Sequence, residues 1–174
     1  MSRFHLIQWR STHLAAAMAL AALALLVPVS SAQTPEAGPA GAVHPVHIHS
    51  GTCAELGDVV VPLNDLAAPA GEHTGPDSAV TVTLSENVID MPLQEIIDGG
   101  HAINVHLSAE EIDVYIACGD IGGVVTTDEG GRQEMMIGLA EMNDSGYTGT
   151  VWIGPSADGA QTEFSVILIE PAMA

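Results

Sequence analysis

Short runs in which apolar and polar residues alternate, each cut off by glycine, proline, asparagine or aspartate, fill the chain from residue 43 to residue 170. Alternation with a period of two sends successive side chains to opposite faces of an extended segment, so each run reads as a strand and each cut as a turn. Strands are expected at 43–49, 57–63, 79–85, 102–107, 113–119, 124–127, 132–139, 147–153 and 162–170. In 79–85 the pattern points Val80, Val82 and Leu84 inward, and Val59, Val60 and Val61 make 57–63 apolar enough to be buried on both faces. Phe164, Val166 and Leu168 alternate with Ser165, Ile167 and Ile169 in the last strand, and Trp152 is the indole left for the core. Between 90 and 100 the punctuation is helical: Asp90 as N-cap, Pro92 in the first turn, Gly99 and Gly100 as the stop, with Leu93, Ile96 and Ile97 packed on the sheet. Ser108 and Glu111 have capping-box spacing for one further helical turn. About eight short strands and one small helix make an all-β domain, an antiparallel Greek-key sandwich or barrel.

The first residues carry an export signal. Arg3 and Arg10 precede an apolar run over 14–29, short for a membrane span, and Ser30, Ser31 and Ala32 supply the small residues of a cleavage site. The expected organisation is a signal peptide at 1–32, a flexible Pro/Gly/Ala linker at 33–42 and one domain at 43–172; the alternative is an uncleaved anchor. The product would be secreted or extracytoplasmic, in the periplasm or at the cell surface, with no membrane span after cleavage. Beyond residue 32, Arg132 is the one base against 22 acids, and there is no lysine. Such a surface repels nucleic acid and anionic lipid and attracts cations, while also serving solvation or salt adaptation. It names no protein partner.

An exported chain with two cysteines is expected to join them, Cys53 to Cys118; free thiols acting as metal ligands are the alternative. Chemistry concentrates near these cysteines. On a strand His47 and His49 share a face, with Val46 and Ile48 turned to the core, and Asn104 and His106 repeat the arrangement opposite Ile103 and Val105. Should the two strands be close, His47, His49 and His106 form a three-imidazole site for copper or zinc, with His44 and His101 as further candidate ligands and Asn104 behind them. His44 is the weaker candidate because a regular strand turns it to the other face, and His73 sits in an acidic loop as a solvated residue. The competing reading needs no metal: the same side chains hydrogen-bond one another and nearby carbonyls to hold two strands in register.

Other chemistries lack their signatures. Cys118 has no histidine and methionine close behind it, as a blue-copper site requires. No strand–serine–helix elbow surrounds Ser50 or Ser108, and the paired glycines read as turns rather than phosphate loops. No catalytic residue is assigned, and an enzyme is not the favoured reading.

His47-Ile48-His49-Ser50-Gly51-Thr52-Cys53, followed by the valine-rich run 57–63, resembles the first half of the chordin-type (CHRD) domain, and Ala102-Ile103-Asn104-Val105-His106 resembles its second signature strand. The resemblance covers about residues 43–125 and implies a secreted β-sandwich module. The chain departs from that family at Cys118-Gly119-Asp120-Ile121-Gly122-Gly123, where the usual arginine is missing. The spacing of His47, His49 and Cys53 is also similar to the copper strand of copper–zinc superoxide dismutase, which implies His47 and His49 as copper ligands and Cys53–Cys118 as a structural bridge. That family's bridging histidine, zinc ligands and guiding arginine have no counterparts here. The functional expectations are therefore a metal-binding CHRD-like module, a dismutase-like redox enzyme, or an adhesion module without metal.

Overall fold

The alternating runs become strands in a computed structural model that describes residues 42–80 and 82–171. The expected signal peptide at 1–32 and the expected linker, apart from residue 42, lie outside the described residues. The elements are β1 (Val46–Thr52), β2 (Glu55–Pro62), β3 (Val82–Ile89), α1 (Leu93–Asp98), β4 (His101–His106), β5 (Tyr115–Asp120), β6 (Val125–Thr127), β7 (Gln133–Glu141), β8 (Thr148–Pro155) and β9 (Thr162–Ile169). They form one curled sheet in the order β2-β1-β4-β5-β7-β8-β9-β3, with β6 beside β7 and the paired strands antiparallel. The chain crosses from one end of this order to the other between β2 and β3, then returns to β1 with β4, the non-local return of a Greek key.

Two backbone bridges bring the ends of the order together. Leu66 exchanges hydrogen bonds with His44 just ahead of β1, and the next residue, Ala67, exchanges them with Leu84 of β3. The segment after β2 is thus shared by both ends, which gives the sheet its barrel-like closure. Inside lie Val46 and Ile48 of β1, Ile103 and Val105 of β4, Val151 and Ile153 of β8, and Phe164, Val166 and Leu168 of β9, all fully buried. Helix α1 adds Leu93 and Ile96. Burying each such side chain contributes on the order of 1.5–3 kcal/mol, which fixes the face of every strand that carries two or three of them.

Several expectations are corrected. β2 is not buried on both faces; it lies at the end of the strand order, paired only to β1, and Val59 and Val60 are exposed. The face of β3 is reversed: Val80 and Val82 are exposed, and Thr83, Ser85, Asn87 and Ile89 point inward. The segment that closes the barrel satisfies Ser85 and Asn87, whereas the Thr83 hydroxyl is buried without a partner. Asn87 accepts from the Asn64 backbone amide at 2.6 Å and donates to Ser85 Oγ at 2.8 Å, and Ser85 Oγ donates to the Asn64 carbonyl at 2.5 Å. Trp152 is not a core residue. It lies half-buried on the outer face, donating to Glu134 at 3.0 Å under the Arg132 guanidinium, while Tyr147 and Phe164 fill the interior. Pro92, not Asp90, occupies the N-cap position of α1, and Asp90 instead accepts from Gln161. Residues 108–113 form a turn, not a helix, in which the Glu111 amide donates to Ser108 Oγ at 3.1 Å.

Candidate metal centre

The antiparallel register of three adjacent strands sets the site. His47 of β1 stands opposite Asn104 of β4, and Asn104 stands opposite Cys118 of β5. Directly opposed residues share a sheet face, so His47, Asn104 and Cys118 form a row across the outside of the barrel wall. The next row is His49, Ala102 and Asp120. A register irregularity between Val105 and His106 ends β4, and His106 lies across from Tyr115. The bond between Cys53 and Cys118, with Cα atoms 5.8 Å apart, staples the β1–β2 turn to this face, and Asp120 accepts from the Cys53 amide at 2.7 Å. Although it lies on the outer face, Asn104 is fully buried and His49 and His106 nearly so.

One nitrogen from each of His47, His49 and His106 lies within 4.8 Å of the other two. The ring centroids are 5.9 Å apart for His47 and His49, 4.8 Å for His47 and His106, and 6.0 Å for His49 and His106. Two nitrogens on one tetrahedral zinc stand about 3.3 Å apart, so the three lie close enough that they could hold one ion. His44 and His101 do not join them. His44 lies ahead of β1, donates through Nδ1 to the Leu107 carbonyl at 2.8 Å and sets its ring edge-on to Tyr147 at 5.2 Å. His101 begins β4 on the side of Ile103 and Val105, packed over Gly99, where a Cβ would stand 2.2 Å from its Nε2. The alternation of β4 turns it away from Asn104 and His106. His73 is exposed in the loop before β3.

Hydrogen bonds set the tautomers. His49 Nδ1 donates to the Gly57 carbonyl at 2.9 Å, and His106 Nδ1 donates to the Ile112 carbonyl. A carbonyl only accepts, so both protons reside on Nδ1 and both Nε2 atoms carry lone pairs. Backbone carbonyls hold metal-ligating imidazoles in the same way, fixing ring orientation and raising basicity. His49 Nε2 and His47 Nδ1 are buried without a hydrogen-bond partner. Charge follows the same logic. Burial pushes the His47 pKa down, His49 adds to the effect, and Asp65 opposes it. Burial also lowers His106, opposed by its bond to Ile112 and by Asp113, and reinforced by His47 and His49. Both shifts favour the uncharged rings of His47 and His106, the form that binds a metal.

Four partners of the site had no signal in the sequence: the carbonyls of Gly57 and Ile112, and the carboxylates of Asp65 and Asp113. A backbone acceptor leaves no side-chain trace, and carboxylates are too frequent in this chain for two of them to stand out. Among the described residues no helix is long and apolar enough to cross a membrane. No family model matches the chain, and no curated protein and no solved structure is significantly similar to it.

Proposed function

We propose that the chain is an exported β-barrel module of chordin-domain type that holds one borderline transition ion, copper(II) or zinc, through His47, His49 and His106. The observation that carries this reading is the pair of imidazoles anchored by backbone carbonyls at Nδ1. Their Nε2 lone pairs share a buried cluster with a third histidine. A purely structural trio would be expected to use its ring nitrogens on one another, yet His49 Nε2 and His47 Nδ1 have no partner. A buried polar atom left unpaired costs about 1–3 kcal/mol, and a metal ion removes that cost for a nitrogen it engages. Three neutral imidazoles suit copper(II) and zinc. The Cys53–Cys118 bond fits an oxidising compartment, in keeping with the expected export signal. A dismutase-like redox enzyme has less support, because His44 and His101 stand apart from the cluster.

Calorimetric titration of dialysed protein with copper(II) and with zinc tests the reading. One equivalent should bind with a Kd below about 10 μM, and the His47→Ala/His49→Ala double variant should lose it. Binding no tighter than that in the wild type, or equal affinity in the variant, overturns it.

A further inference from the structure

Asn104 is fully buried in the middle strand of the site, between His47 on one side and Cys118 on the other. Its Nδ2 lies 3.4 Å from His106 Nε2, whose lone pair it meets, and its Oδ1 is buried with no partner. A carboxamide that leaves its better acceptor unused in the interior is held there at a loss. The 3.4 Å separation is also the edge length, about 3.3 Å, between two donors on one tetrahedral ion. The terminal atom of Asn104 thus lies at the separation from His106 Nε2 that a fourth ligand would have.

We infer that Asn104 is the fourth ligand of the centre, its Oδ1 binding the ion after a half turn about χ2. The inference rests on the metal reading of His47, His49 and His106. An ion at that point takes the His106 lone pair, so the Asn104 N–H loses its acceptor, and exchanging the two ends of the carboxamide places the unpaired oxygen on the ion instead. The centre is then a closed set of three nitrogens and one oxygen. Structural sites are closed, whereas catalytic ones keep a position for water or substrate. The module therefore retains its ion rather than presenting it to a reactant. Because Asn104 is central in the sheet, with paired strands on both sides, its Cα position does not depend on the ion.

Cobalt(II) titration followed by visible spectroscopy, with azide as probe of an open position, tests this. Wild type should give one equivalent of four-coordinate cobalt(II) whose spectrum azide leaves unchanged. Asn104→Leu should bind cobalt(II) about 10-fold or more weakly and respond to azide, and Asn104→Asp, which keeps the oxygen, should restore both affinity and azide resistance. An azide-sensitive wild-type spectrum, or Asn104→Leu binding as tightly as wild type, overturns the fourth ligand and leaves the three-histidine site standing. Absence of cobalt(II), zinc and copper(II) binding by wild type overturns both. Asn104→Ser provides a smaller side chain should Asn104→Leu fail to fold; it is expected to be azide-sensitive, and azide resistance in it counts against the ligand.

Discussion

His49 Nδ1 and the Gly57 carbonyl are 2.9 Å apart, across a stretch of the β1–β2 hairpin where the register slips on both sides of His49. The irregular pairing is what lets a main-chain oxygen of β2 meet a side chain of β1. Gly57 is confined there: a Cβ would lie 2.3 Å from Ser50 Oγ and 3.1 Å from the Ser50 carbonyl oxygen.

Gly57→Ala should therefore move the anchor of His49 more than it moves the fold, since β2 lies at the end of the strand order. Zinc affinity is expected to fall roughly 10–100-fold, the range for losing an outer hydrogen bond to a metal-bound histidine. Calorimetry on the variant, with its melting temperature as control, checks this. Unchanged affinity would show that the carbonyl does not orient the ring.

Acid should weaken the folded protein. His47 and His106 are held below their ordinary pKa, so the unfolded chain binds more protons than the native one once pH drops below about 6.5. The stability they supply is complete above that value and is lost as pH falls from there through their lowered native values. Urea denaturation of metal-free protein between pH 8 and 5 should show this fall, and it should shrink in His106→Gln. Zinc affinity should decline over the same acid range, because protons compete for the same nitrogens.

Removing the staple should cost more than any single hydrogen bond. The Cys53–Cys118 link spans 65 positions, and a loop of that size contributes about 4 kcal/mol in the chain-entropy account. The Cys53→Ser/Cys118→Ser variant is expected to melt roughly 10–20 °C lower by calorimetry. Its metal affinity should fall as well, because Cys118 stands beside Asn104 in the sheet. A variant that melts lower yet binds zinc equally well would separate the staple from the site.

The polar inner face of β3 makes a prediction opposite to its hydrophobic pattern. Asn87→Leu leaves the Asn64 amide and Ser85 hydroxyl short of a partner and should destabilise by about 2–4 kcal/mol. Val88→Thr, at a position 59% exposed, should change stability by less than about 0.5 kcal/mol. Denaturant midpoints of the two variants decide which face is inward.

Strand periodicity made much of the architecture legible without coordinates. Alternation is a local property of the backbone, and it correctly placed Val46 and Ile48 inward against His47 and His49. The count of cysteines, in a chain expected to be exported, likewise led to Cys53–Cys118. The same rule failed on β3, because Asn64 and Ala67 cover that strand and satisfy Ser85 and Asn87, so polar side chains are the inward ones.

By itself the amino-acid order determined which residues share a strand face and which sulfurs pair. Only the tertiary structure decided that β1 and β4 are neighbours and that Gly57 and Ile112 orient the rings. Side-chain direction follows from a two-residue period within one segment. Strand adjacency and main-chain acceptors arise between segments far apart in the chain, and every residue type carries the same carbonyl.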